Sequence, residues 1–167
     1  LHLNDTYQFT PVDGGKCGGL ARVMTLKKNA LKDNPNTLMT LGGDTVSPSV
    51  ETRTYRGAQM IDAWNMVGLD YSVFLLPETK ETSSIEESLK VTDFCETAKE
   101  LVPKMRAKGA NVIIGLTHLF MAQDKKLAGC EKFDLILGGH EHTLLQSSAN
   151  GTPIFKMWAD AREVGKF

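Results

Sequence analysis

Asp5, Asp44, His118, His140 and His142 are carboxylates and imidazoles, the donors a borderline divalent metal ion takes, and each closes a short apolar run. The run at 37–41 turns into Gly42-Gly43-Asp44, and that at 111–116 ends at Thr117-His118. The run at 133–137 ends at Gly138-Gly139-His140-Glu141-His142. The opening Leu1-His2-Leu3-Asn4-Asp5 reads as the end of a strand, so the start of the chain is expected to be trimmed. If these runs are parallel strands, all five side chains stand past strand C-termini, the edge where open α/β sheets bind ligands. Singly, an Asp after a strand reads as a turn or cap residue, and Gly-Gly-His as a surface turn. Five at equivalent strand ends make metal chemistry the better explanation. The glycines before Asp44 let the backbone turn sharply. His140 and His142, two apart on a loop, can face two different ions. His2, inside its strand, reads as packed or solvated.

The elements that must position these residues follow from hydrophobic periodicity. Helices are predicted over 19–32, 58–67, 92–108 and 122–128, between apolar runs at 37–41, 69–74, 111–116 and 133–137. In the second helix Met60, Ile61, Trp64 and Val67 share a face, and in the third Phe94, Ala98, Leu101 and Met105 do. Thr92 or Asp93 can cap the third helix, Gly109 can end it, and Pro103 is expected to kink it. Strands alternating with helices predict an α/β domain with a largely parallel central sheet.

At 167 residues the chain makes one ordinary domain, 41% hydrophobic and 23% charged. A formal charge of −1 gives no basic field for a nucleic-acid polymer, and no apolar run is long enough for a membrane span. Cys17, Cys95 and Cys130 are too few and scattered for a disulfide framework or a Cys-type zinc site, and their odd number leaves at least one thiol unpaired. No Gly-x-Gly-x-x-Gly follows an early strand, and no Gly-x-Ser-x-Gly elbow appears, which disfavours a dinucleotide-binding domain and a serine hydrolase. The run Gly14-Gly15-Lys16-Cys17-Gly18-Gly19 lacks the ending of a phosphate loop and reads as a flexible entry to the first helix.

Asn4-Asp5-Thr6-Tyr7, Leu41-Gly42-Gly43-Asp44, Thr117-His118-Leu119 and Gly138-Gly139-His140-Glu141-His142 together resemble four of the five metal motifs of the calcineurin-like metallophosphoesterases. Gly18-Gly19-Leu20-Ala21-Arg22, Tyr55-Arg56-Gly57-Ala58, Pro77-Glu78-Thr79, Asn150-Gly151-Thr152-Pro153 and Asp160-Ala161-Arg162-Glu163-Val164-Gly165 resemble the 5′-nucleotidase branch. The resemblance implies a layered α/β sandwich with central mixed, largely parallel sheets flanked by helices. It implies two divalent metal ions (Mn, Zn, Fe, Co or Mg), Asp5 and His142 on the first, His118 and His140 on the second, and Asp44 bridging them. His118 and His140 are thereby the candidate catalytic residues. A hydroxide bridging the ions would attack phosphorus in line and hydrolyse the phosphoester with no covalent intermediate. Nucleoside 5′-monophosphates lead as substrates, ahead of 2′,3′-cyclic nucleotides and nucleotide sugars, which places the chain in nucleotide catabolism. The branch is commonly exported to the periplasm or cell surface, and the sequence leaves the cytoplasm open.

The chain departs from the family pattern in two places. Tyr7 stands where the first motif usually carries His, which makes it a candidate ligand or neighbour of the first ion and leaves that ion one imidazole short. A Gly-Asn-His-Glu or Gly-Asn-His-Asp motif is expected after the run at 69–74, yet Phe74 is followed by Leu75-Leu76-Pro77-Glu78-Thr79. A segment is therefore expected to be missing between Phe74 and Leu75, with their Cα atoms farther apart than the ~3.8 Å of a trans peptide. The catalytic domain would then occupy 1–167 incompletely, without the C-terminal domain that selects the base. These departures favour the alternative reading, a catalytically weakened metal- or phosphate-binding member of the same fold. Arg162 could reach substrate phosphate, though a structural ion pair with Asp160 is the preferred reading; Glu141 reads as facing solvent or orienting an imidazole, and Trp64 and Trp158 as packing residues.

Overall fold

The alternation of apolar runs and amphipathic segments builds two sheets flanked by helices in the computed structural model, which describes residues 1–46, 48–73 and 91–167, and the side chains of all of these except 51–53. The expected gap between Phe74 and Leu75, and Pro77-Glu78-Thr79, lie outside the described residues. The first sheet has three strands, β1 (His2–Leu3), β4 (Thr40–Leu41) and β5 (Tyr71–Ser72), paired in that order and all parallel. The second has four in the order β6 (Ile114–Leu116), β7 (Leu135–Gly138), β9 (Thr152–Lys156) and β8 (Leu145–Ala149), parallel except for the antiparallel hairpin β8–β9. This is the mixed, largely parallel α/β architecture expected, and the strands begin later than the apolar runs do.

The hairpin is the element that period alone did not indicate. It turns at Asn150-Gly151, where Asn150 and Gly151 both take positive φ. A second small ribbon, β2 (Pro11–Val12) with β3 (Cys17–Gly18), forms around the glycine run. It corrects the reading of that run as a flexible entry: Asp13 at its tip accepts from Arg162 Nε at 2.8 Å and Nη2 at 3.1 Å, which anchors it.

Among the described residues the helices are α1 (Leu20–Asp33), α2 (Val50–Tyr55), α3 (Ala58–Val67), α4 (Phe94–Ala107) and α5 (Met121–Cys130). Asp93 caps α4 by accepting from the amides of Cys95 and Glu96, and the helix runs on through the exposed Pro103. The buried stripe of α4 is Cys95, Ala98 and Val102; Leu101 and Met105, expected on that face, are 47% and 44% exposed. Stepping the stripe through Cys95 rather than Phe94 rotates the helix so that Cys95 meets Cys130 of α5 in a disulfide, Cα atoms 5.5 Å apart. One bridge is therefore present where no framework was expected, and Cys17 stays free. On α3 Met60, Trp64 and Val67 are buried as expected, while Ile61 is exposed.

Two apolar cores result. Leu3, Leu20, Val23, Met39, Leu41, Met60 and Trp64 fill the space between the first sheet and α1 and α3. Val102, Ile113, Leu127, Phe133, Ile136 and Ile154 fill that between the second sheet and α4 and α5. His2, wholly buried, is packed rather than solvated and joins the sheets: Nδ1 lies 2.9 Å from Thr40 Oγ1 and Nε2 2.9 Å from the Gly138 carbonyl. Trp64 Nε1 donates to Thr45 Oγ1 at 2.6 Å, and Trp158 sits partly exposed.

Candidate functional site

Because β1, β4, β6 and β7 are parallel within their sheets, their C-terminal ends bring Asp5, Asp44, His118 and His140 to one edge. The two sheets meet there corner to corner. A Cβ on Gly139 would lie 1.9 Å from the Gly42 carbonyl oxygen, and one on Gly43 would lie 2.3 Å from His118 Nδ1. The paired glycines before Asp44 and before His140 thus permit close backbone approach as well as a turn. Asp5, Asp44 and His140 themselves take φ of 47°, 46° and 82°, in the left-handed region where a non-glycine residue is held only by its surroundings.

Asp5, Asp44 and His118 each offer a ligand atom, and these lie within 4.8 Å of one another. Asp5 is fully buried; its Oδ2 accepts from Asn4 Nδ2 at 2.8 Å and from the His140 amide at 2.7 Å, while Oδ1 lies 3.2 Å from His142 Nε2. His118 Nδ1 lies 2.6 Å from the Gly42 carbonyl, which can only accept, so Nδ1 carries the proton and Nε2 of the neutral ring is a lone pair aimed into the site. Buried Nε2 has no hydrogen-bond partner, and Asp44 Oδ2 stands 3.5 Å away. His140 packs its ring edge-on against Phe120 at 4.1 Å and against His118 at 5.4 Å between centroids. His142 sits at the rim beside Asp5 and Tyr7.

Tyr7 spans the carboxylates: its hydroxyl lies 3.1 Å from Asp44 Oδ2, 3.4 Å from Asp5 Oδ1 and 3.1 Å from His142 Nε2. Burial and the two carboxylates push the phenol well above its ordinary pKa, so in this geometry Tyr7 is a proton donor to the acids. Burial also raises the Asp5 carboxyl. Burial works against ionised Asp44, yet neighbouring His118 holds that carboxyl below the usual range. Burial likewise opposes charge on His118, and Asp44, the Gly42 carbonyl and Asp5 outweigh it, raising the imidazole. Burial, and then the charge of His118, lowers His140. Two carboxylates that draw positive charge, beside an imidazole whose buried Nε2 has no hydrogen-bond partner, form a donor set suited to a divalent cation.

Three flanking residues resolve differently from one another. Arg162 pairs with Asp13 and, at 3.3 Å, with Asp160, so the structural reading holds. Glu141, only partly exposed, orients no imidazole: it accepts from the Met121 amide at 2.7 Å and pairs with Lys156. Lys156, fully buried on β9, had no signal in motif or composition; the inward phase of the β9 alternation was the only available clue.

No protein-family model matches the chain. It is 35% identical over 95 residues to the trifunctional nucleotide phosphoesterase protein YfkN of Bacillus subtilis (strain 168), a match covering 49% of this chain and 6% of that protein. The solved calcineurin-like phosphoesterase YfkN from Bacillus subtilis superposes with a TM-score of 0.75 at 20% identity, over 96% of this chain and 80% of that one. The 5′-nucleotidase precursor from Thermus thermophilus gives 0.80 at 20% identity, over 96% and 48%. The Haemophilus influenzae NAD nucleotidase gives 0.82 at 17% identity, over 96% and 45%. The chain therefore has the fold of the calcineurin-like phosphoesterases, as its motifs led one to expect. It spans only a small part of its curated relative and about half of the last two structures.

Proposed function

We propose that this chain is the catalytic domain of a metal-dependent phosphoester hydrolase acting on nucleoside 5′-monophosphates or related nucleotides. The observation that carries the reading is the convergence of Asp5, Asp44 and His118 within 4.8 Å, with His118 Nε2 buried and unpartnered. Similarity to a protein named as a trifunctional nucleotide phosphoesterase and to a 5′-nucleotidase precursor supports the substrate class. In this reading Asp5 and His142 hold one divalent ion, His118 and His140 hold the other, and Asp44 serves both. When bound, such a pair supplies an activated water and neutralises phosphate oxygens.

The chain's own residues prepare the site. The Gly42 carbonyl keeps the proton on His118 Nδ1 and leaves Nε2 free to ligate. Asn4 and the His140 amide fix the inner oxygen of Asp5 and leave the outer one facing the site. Tyr7 holds the carboxylates at hydrogen-bond spacing, and Phe120 walls the His140 ring.

Metal content by elemental analysis, paired with AMP hydrolysis before and after chelation, tests the reading. Near two ions per chain, with hydrolysis lost to chelator and restored by Mn²⁺ or Zn²⁺, is the expected result. Tyr7 favours a second reading, a metal-binding member with weakened catalysis, because it stands where the family usually has an imidazole and its hydroxyl faces Asp44 and Asp5. Ion uptake without hydrolysis of any phosphoester would select that alternative.

A further inference from the structure

Among the described residues Lys156 is the largest side chain wholly out of solvent. A lysine in that position is costly unless its charge is matched and each ammonium proton finds an acceptor. The alternation of β9 turns Lys156 to the same buried face as Thr152 and Ile154, so its depth follows from strand phase. Its ammonium donates to the Leu119 carbonyl, to the Gly139 carbonyl at 2.9 Å and to Glu141 Oε2. Those three acceptors use its three protons. Asp124 Oδ2, fully buried 2.8 Å away, adds opposite charge without a further proton.

The partners are not scattered. Leu119 follows His118; Gly139 precedes His140; Glu141 stands between His140 and His142. Asp124 Oδ1 accepts from Thr117 Oγ1 at 2.7 Å, which fixes the residue before His118 as well. Glu141 also accepts from the Met121 amide at the start of α5, so its carboxylate cannot swing away without breaking a second bond. One buried cation thus grips both loops that present the histidines. Holding the sheet together would need none of this: an apolar side chain beside Ile154 would do it at lower cost.

We propose that Lys156 is a positioning residue that sets the distance between the His118 corner and the His140–His142 corner, and through it the affinity of the site for a divalent ion. The inference rests on the reading of these histidines as ligands. Lys156 acts through the two loops and is not itself a ligand.

The test compares Lys156→Met with Ile154→Ala, a cavity on the same strand and face that removes none of the hydrogen bonds to the two loops. Mn²⁺ affinity by equilibrium dialysis, thermal unfolding, and the histidine ring NMR signals of metal-free protein are measured on each. Lys156→Met is expected to weaken Mn²⁺ binding about 10–100-fold and to move the His118 and His140 signals. Ile154→Ala is expected to lower the unfolding temperature while holding Mn²⁺ affinity within about twofold. Equal loss of affinity in both variants at equal loss of stability would overturn the proposal and leave Lys156 a structural residue.

If Lys156→Met does not fold, Glu141→Gln keeps the lysine and removes one charged partner. A roughly threefold or greater loss of Mn²⁺ affinity with little change in unfolding temperature supports the positioning role, and unchanged affinity overturns it. If the parent chain takes up no Mn²⁺, the metal-centre reading is what fails. The metal-free NMR comparison then decides for Lys156 alone, with moved ring signals supporting the grip on both loops and unmoved ones refuting it.

Discussion

Two buried lysines stand at opposite ends of the strands and do different work. Lys27 of α1 pairs with Asp70 at 2.9 Å and donates to the Gly68 carbonyl, at the end where β5 begins. Asp70 also accepts from the Met39 amide at 2.7 Å, so the pair ties α1 to the chain entering β4 and β5. None of the candidate metal ligands is among its partners. Lys156 stands at the end where β9 finishes, and besides Asp124 its partners are residues flanking His118, His140 and His142. Both are cations removed from water and matched by carboxylate and carbonyl oxygen. In an open α/β sheet the N-terminal edge serves stability and the C-terminal edge presents ligands. The same chemistry therefore acquires a different consequence from the edge it occupies.

The largest effect is expected at the edge that carries His118. If the proposed two-ion reading is right, His118→Ala reduces AMP hydrolysis by about two to three orders of magnitude and abolishes tight binding of one ion. Steady-state kinetics with elemental analysis would check this, and retained two-ion stoichiometry would count against the assignment.

His2 lies between the two edges and should make stability depend on pH. Its pKa is lowered to about 4, first by burial, so the folded state disfavours its charged form below the ordinary value of 6.5. The unfolded chain binds a proton that the folded chain refuses across that window. Stability is accordingly full above about 6.5 and falls as pH drops toward 4, by up to about 3 kcal/mol. Urea unfolding at pH 4.5 and 6.5 should show this slope in the parent chain and a shallower one in His2→Gln.

The smallest expected effect sharpens the contrast from the other side. Lys27→Met should destabilise the fold by about 1–3 kcal/mol, leaving Asp70 short of its cation, while Mn²⁺ affinity stays within about twofold. A denaturation midpoint and a metal titration on the same variant suffice. Loss of metal binding there would erase the distinction between the two edges.

The strand ends were legible because apolar runs closed by glycine or polar corners mark them locally. Their sequence context alone puts Asp5, Asp44, His118 and His140 at one edge, since parallel pairing follows from helices alternating with strands. The hairpin β8–β9 was missed because Leu145–Ala149 carries polar residues on a half-exposed edge, where period 2 is weak. The buried stripe of α4 was placed one residue off for a different reason. The Cys95–Cys130 bridge and the packing of Ile113 and Ile136 choose the rotation, and both partners are distant in sequence.

The site divides along the same line. Residue type and local spacing determined which side chains could bind a metal and that they belonged to one edge. Tertiary structure alone decided that Asp5, Asp44 and His118 converge within 4.8 Å, that Tyr7 lies across the two carboxylates, and that Lys156 holds both histidine loops. The reason is physical. Donor chemistry and strand phase are properties of short stretches, whereas a buried charge is tolerated only where residues far apart in the chain close around it.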